Sequence, residues 1–293
     1  MLEATTQTAT PALRADGRHA RQLRPVRFQN HIAPHALGST LIECGQTRVI
    51  CAVTLDPTVP RWKKEQGLPG GWVTAEYSML PYSTPQRKPR EIAKGRPEGR
   101  TQEIQRLIGR ALRTAVDLEK LGERTLWVDC DVLQADGGTR TAAITGSYVA
   151  LALAIQRLLR EGTLTESPLR APVAAVSVGI VRGEVFLDLC YSEDVEASVD
   201  LNLVMNQLGE IIEIQGSGEE ATFTEAQLHQ MIDLGRAGIE QLLHAQQKAL
   251  QDQAPIPPTP RAPTAPRGAE PGVSCRAAQT SPTPPEAGLR GRV

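Results

Sequence analysis

Apolar and polar positions follow two rhythms along the middle of the chain. Ile104, Leu107, Ile108, Ala111, Leu112 and Ala115 recur at the spacing of one helix face, and Gly122 is where that helix is expected to stop. Arg106, Arg110 and Arg113 fall together on another face of it. From Thr125 to Leu133 the period becomes two. Leu126, Val128, Cys130 and Val132 point one way and Trp127, Asp129 and Asp131 the other, which predicts a half-buried strand. Ala135-Asp136-Gly137-Gly138 turns the chain into a long helix over Thr139–Arg160. That helix is rich in small residues at its start and apolar nearly all round in its middle, the pattern of burial against a sheet.

The flanking patterns are mostly β. Leu23–Phe28 reads as a first strand, and Ser39–Glu43 with Thr47–Leu55 as a hairpin closed at Cys44-Gly45-Gln46. Proline and glycine punctuate 56–71 as a loop before a strand over Trp72–Met79. After the long helix, Val173–Val181 and Glu184–Leu189 predict one hairpin, and Ser198–Met205 with Glu210–Gln215 a second. Gly216 to Glu220 reads as a glycine turn. Thr224, with Gln227 three residues on, caps a last helix running to about Leu250. This order implies an α+β or α/β architecture in two similar halves.

Composition sets the ends apart. Residues 1–13 read as a flexible polar tail, 14–250 as the folded domain, and 251–293 as a disordered tail, since 252–293 hold ten of the chain's 22 prolines and almost nothing to bury. The five cysteines lack C-x-x-C spacing and the five histidines form no ligand pattern, which argues against zinc and suits a reducing compartment. The N-terminus carries no apolar h-region, and the longest apolar stretch, around Tyr148–Ile155, is too short to span a bilayer. A cytoplasmic location is expected.

Charge changes the picture more. The formal net charge is −1, yet Arg87 to Arg113 holds nine basic and three acidic residues, +6 locally against −7 elsewhere. An anionic ligand and a solvated helix face both fit that distribution. Within this window, 81–100 lacks apolar periodicity and reads as a long basic loop. Gly137-Gly138-Thr139-Arg140 follows a strand and opens a helix, where unpaired N–H groups and the helix dipole favour an oxyanion. Neither a P-loop nor a dinucleotide fingerprint is present. Asp188 and Asp194 are the carboxylate candidates, for Mg²⁺ or for acid catalysis, against a solvated strand-end turn; Asp129, Asp131 and Asp136 compete with them.

Four strings then carry a resemblance: Trp72 to Pro81 (WVTAEYSMLP), Gly99 to Arg110 (GRTQEIQRLIGR), Asp129 to Thr141 (DCDVLQADGGTRT) and Gly218 to Phe223 (GEEATF). In this order they closely resemble the bacterial ribonuclease PH family over about residues 13 to 250. The resemblance implies a phosphorolytic 3′→5′ exoribonuclease, reversible as a tRNA nucleotidyltransferase. Inorganic phosphate would attack the last internucleotide phosphorus, release a nucleoside diphosphate, and trim precursor tRNA beyond its CCA end; ribosomal RNA trimming is a further family role. It also implies a two-layer αβ fold with duplicated βαβ-type halves, related to a small-subunit ribosomal protein domain, and a homohexameric ring made as a trimer of dimers. By the same resemblance, phosphate falls to Arg100, Gly138, Thr139 and Arg140. Asp188 and Asp194, matched to the family's D-x₅-D, would hold Mg²⁺, with proton delivery as a second role. Arg87, Arg90 and Arg96 would contact tRNA. One position departs from the pattern: Tyr82 stands where relatives often carry arginine, and a base could stack on it. A non-catalytic RNA-binding ring would need one of these groups missing, and a hydrolytic nuclease would need an acid cluster for two metals.

Overall fold

The computed structural model describes residues 14–218 and 221–252. The 1–13 tail, the C-terminal tail beyond Asp252, and Glu219-Glu220 of the expected glycine turn lie outside the described residues. The elements are β1 (Val26–Asn30), β2 (Gly38–Cys44), β3 (Thr47–Asp56), α1 (Arg61–Glu65), β4 (Trp72–Met79), α2 (Gly99–Thr114), α3 (Leu118–Leu121), β5 (Thr125–Gln134) and α4 (Thr139–Arg160) in the first half. The second half holds β6 (Val173–Val181), β7 (Glu184–Leu187), α5 (Tyr191–Glu196), β8 (Ala197–Asn206), β9 (Ile211–Gly218) and α6 (Glu225–Gln251).

Two sheets result, in the orders β1-β2-β3-β5-β4 and β7-β6-β8-β9. The strand pairs run antiparallel except β4 with β5, which run parallel and in register from Trp72↔Thr125 to Met79↔Val132. A parallel pair needs a crossover, and α2 with α3 supplies it. The alternation over Thr125–Gln134 sends Val128, Cys130 and Val132 into the core and leaves Trp127 exposed.

Helix α4 packs on β2 and β3 of one sheet and on β6 of the other. By length and a mean hydropathy of 1.5 it could cross a membrane, but 83% of its apolar window is buried inside the protein. The length and hydropathy that would suit a bilayer thus belong here to a core helix. Its approach to β2 is close: a Cβ on Gly38 would lie 2.2 Å from the Ala150 carbonyl oxygen. One apolar core joins α2 and α4 to the first sheet. A second lies between α6 and the other sheet, around Leu203, Met231 and Ile239. Thr224 caps α6 as its sequence predicts, accepting from the Gln227 N–H at 3.2 Å while Gln227 Oε1 accepts from the Thr224 N–H at 2.8 Å.

Several expected boundaries move. The helix with the arginine face does not reach Gly122. It stops at Thr114, because Val116 bridges to Leu169 and Asp117 starts α3 by accepting from the Glu119 and Lys120 N–H groups. Gly122 closes α3 instead, at φ 71°. The stretch 56–71 is not all loop, since Pro60 opens α1. The basic loop contains a 3₁₀ turn, Glu91–Lys94, tied down by Glu91, which accepts from Thr101 Oγ1 at 2.8 Å and the Glu98 N–H at 3.0 Å. The first strand starts at Val26, after Arg24 has turned into the interior. Gly216 to Gly218 extend β9 rather than turning.

Candidate active site

The starts of α2 and α4, the end of α5 and adjoining residues of the paired strands β8 and β9 line a polar cleft of about 1020 Å³. Arg100 enters it from the first turn of α2, and Gly138, Thr139 and Arg140 from the start of α4. These four sequence candidates are therefore brought together. Gly137 and Gly138 make this possible with φ of 72° and 63°, where an L side chain would be strained, and a Cβ on Gly137 would lie 2.5 Å from the Leu189 carbonyl oxygen. The turn leaves the first N–H groups of α4 without helical acceptors beside two guanidinium groups, an arrangement suited to one oxyanion.

The hydroxyl and the guanidinium of the turn are both held. Tyr77, buried on β4, donates its hydroxyl proton to Thr139 Oγ1 at 2.8 Å. Burial pushes the Tyr77 phenol up, against the opposing pull of that hydrogen bond and of Arg100 and Arg140. Arg140 donates through Nη1 to Gln215 Oε1 at 3.0 Å and lies 3.9 Å from Glu103. Gln215 in turn donates to Glu103 and Glu213, each at 3.1 Å. The arginine face of α2 is largely engaged in structure. Arg110 makes a forked pair with Glu213, while Arg113 donates to the Val73 carbonyl at 3.0 Å and stacks over Trp72.

The carboxylates divide differently from the sequence assignment. Asp194 lines the cleft; Asp188 does not. Asp188 is 6% exposed, and its carboxylate accepts from Arg24 Nη2 at 2.6 Å and Nε at 3.0 Å and from the Arg24 backbone N–H at 2.8 Å. Burial alone would raise its carboxyl, but the Arg24 contacts hold it below the usual carboxylate range. Enclosed in this way, it has no free face for a metal ion or a substrate. Of the other carboxylates lining the cleft, Glu103, Glu196 and Asp200, the one on β8 beside Asp194 is Asp200. Burial and the neighbouring charge of Asp194 push its carboxyl up to about 6. Its Oδ2 accepts from Asn202 at 3.2 Å, and its buried Oδ1 has no hydrogen-bond donor among the described residues.

Spacing alone does not single out Asp200 as a cleft residue, because D-x₅-D occurs twice in overlap, at 188 and 194 and again at 194 and 200. The signal was available. Ser198, Asp200 and Asn202 put three polar groups at period two into an apolar strand, and all three line the cleft. Asp129 and Asp131 do not line it; they stand half-buried on β5, where burial raises both carboxyls.

The basic loop begins beside the glycine turn, since the Ser83 carbonyl accepts from the Ala135 N–H at 2.8 Å. Arg87, Arg90 and Arg96 are exposed, as is Tyr82 at 67%. Lys88 instead turns inward toward Glu91 and Glu98, at 3.4 and 3.8 Å.

Residues 22–155 match domain 1 and residues 171–238 match domain 2 of the 3′ exoribonuclease family. Ribonuclease PH of Corynebacterium efficiens is 55% identical over 243 residues, spanning 83% of this chain and 98% of that protein. Ribonuclease PH of Acaryochloris marina is 56% identical over 237 residues, spanning 81% and 98%. Among solved structures, rice Rrp46 superposes with a TM-score of 0.66 at 23% identity, covering 82% of this chain and all of that one. An Archaeoglobus fulgidus exosome solved with RNA bound to its active site gives 0.66 at 23% identity, covering 79% and 92%; both likenesses bear on the fold. With both family domains in order and more than half of the aligned residues identical to such relatives along nearly their whole length, the chain belongs to the ribonuclease PH family of 3′ exoribonucleases.

Proposed function

We propose that the protein, by its family a phosphorolytic 3′→5′ exoribonuclease of tRNA processing, carries out that reaction in the cleft between α2, α4 and β8. The observation that carries this reading is the meeting of Arg100 and the Gly138-Thr139-Arg140 turn with the Asp194–Asp200 pair in one cleft. Phosphate held by two guanidinium groups, a hydroxyl and helix-start N–H groups is neutralised and aimed. Positioning and charge stabilisation are most of what phosphoryl transfer requires. A phosphate oxygen then bonds to the terminal internucleotide phosphorus, the bond from phosphorus to the 3′ oxygen of the preceding nucleotide breaks, and a nucleoside diphosphate leaves. That 3′ oxygen gains a proton and becomes the new RNA end.

Magnesium fits the residues present. Asp194 and Asp200 would hold it, since their mutual repulsion and the orphaned Oδ1 of Asp200 are relieved by a hard cation. Among the described residues no group of three His, Cys, Asp or Glu side chains converges, so water or phosphate oxygens would complete the shell. When bound, the ion supplies charge neutralisation on the phosphate oxygens. Asp188 takes no part in this set.

The RNA is read as precursor tRNA with nucleotides beyond its CCA end, approached through Arg87, Arg90 and Arg96 with Tyr82 available to stack on a base. Replacing the three arginines by alanine should flatten the salt dependence of tRNA binding, lowering the slope of log K against log salt by about two units. Equal slopes in fluorescence titrations of the parent and the triple variant would remove the loop from the RNA contact. A homohexameric ring and a cytoplasmic location complete the reading, the ring being open to test by analytical ultracentrifugation.

The deciding experiment is product analysis. A 3′-extended tRNA is incubated with the protein and Mg²⁺, with and without inorganic phosphate. Nucleoside diphosphates should appear only with phosphate. Monophosphates released without it would make the protein a hydrolase, and no product with tRNA still bound would leave a non-catalytic RNA-binding protein.

A further inference from the structure

Arg24 is 5% exposed and does not line the cleft, yet it is bonded to the turn that does. Besides its fork on the Asp188 carboxylate, its Nη1 donates to the Asp136 carbonyl and its Nη2 lies 3.5 Å from the Gly137 carbonyl. Thr47, from the start of β3, holds the same two residues. Its Oγ1 donates to the Gly137 carbonyl at 2.7 Å and accepts from the Asp136 N–H at 2.9 Å. Both carbonyls are thus tied on the core side, while Gly138, Thr139 and Arg140 face the cleft.

Asp188 is itself fixed, at a φ of 55°. Its carbonyl accepts from Arg14 Nη2 and Arg18 Nη1, each at 3.0 Å, and its N–H donates to the Ser177 carbonyl at 2.7 Å. Glu193 balances Arg14 and Arg18. The segment 14–24 therefore straps the β7–α5 junction to the underside of the glycine turn.

We propose that Arg24, with Asp188 behind it, and Thr47 are positioning residues for the phosphate subsite, holding the Asp136 and Gly137 carbonyls back so that the first N–H groups of α4 are presented to phosphate. The inference rests on the reading of that turn as the phosphate site. A carbonyl released toward the cleft would set a partial negative charge against the anion and shift the donors, and a displacement of about 1 Å costs up to about 10²-fold. RNA, contacted elsewhere, should not sense the change.

The test is steady-state phosphorolysis of a 3′-extended tRNA with phosphate and RNA varied separately, for Arg24→Lys, Asp188→Asn and Thr47→Val. Thr47→Val removes the hydroxyl without disturbing any charge, which keeps the test alive if a charged variant does not fold. Expected is a rise in KM for phosphate of about tenfold for the first two and about threefold for Thr47→Val. KM for RNA and kcat at saturating phosphate should stay within about twofold, and KM for a nucleoside diphosphate in the reverse direction should rise in parallel. An unchanged KM for phosphate in Thr47→Val overturns the proposal. So does a loss in the charged variants that only tracks their folded fraction. Arg140→Ala serves as the control: if it raises KM for phosphate and the three variants do not, this inference alone fails. If Arg140→Ala also leaves that KM unchanged, the phosphate reading itself fails.

Discussion

Arg140→Ala should reduce phosphorolysis of a 3′-extended tRNA by about 10²–10³-fold, the loss typical of removing one preorganised donor from a developing charge. Its binding of tRNA should stay within about twofold, because the exposed arginines of the loop are untouched. Arg100→Ala should behave alike, from the other side of the cleft. The two losses should not add, since both arginines orient one phosphate group. Arg140→Lys should recover only part of the activity: the charge returns, but not the planar fork that binds Gln215 and would bind phosphate. Single-turnover assays beside filter binding separate the two effects. Full turnover in Arg140→Ala would take the turn out of the site.

Asp200→Asn and Asp188→Asn should fail in opposite ways. Asp200 is raised to about 6 by burial and by Asp194, so its folded state favours the proton. Its ionisation therefore destabilises the fold progressively as pH rises from the ordinary aspartate range through about 6. At pH 7.5, Asp200→Asn should leave the thermal midpoint unchanged or raise it, while lowering kcat by about 10²-fold or more and shifting the Mg²⁺ requirement upward. Asp188 is lowered, so its ionised form contributes stability above the unfolded pKa that is lost as pH falls through the folded one. Asp188→Asn leaves Arg24 buried without its charge partner, at a cost of about 3–5 kcal/mol. A drop of about 10 °C in thermal midpoint is expected for a chain of this size, with kcat at saturating phosphate largely kept. Calorimetry of both variants beside a magnesium titration of activity checks the pair. The reverse pattern would restore Asp188 to the site.

The contrast shows how far the sequence reaches. The long α4 was legible to the residue, because its small N-terminal residues and apolar middle leave no other reading. The cap at Thr224 and the glycine turn at Gly138 were equally local signals. The end of α2 was not. Gly122 looks like its stop, yet the stop is made by Val116 pairing with Leu169, a contact over 50 residues that no window contains. The same holds for the carboxylates. Spacing offers Asp188 and Asp200 equally as the partner of Asp194, and only the burial of Arg24 against Asp188 decides between them. Distant pairings of buried charge leave no periodic trace.

The one parallel pairing among the described strands, β4 beside β5, has a consequence for how an RNA would meet the proposed site. Strands that run the same way end on the same side, so the basic loop leaving β4 and the glycine turn leaving β5 emerge next to each other. The crossover helix returns its own start, with Arg100, to that rim. A hairpin in place of this crossover would have put the two loops at opposite ends of strands eight residues or more in length, roughly 25 Å apart. Strand polarity thus works as a ruler: a tRNA body resting on the loop, as proposed, would have its terminal nucleotides within a short reach of the proposed phosphate site, and the distance between grip and cut would be set by the sheet.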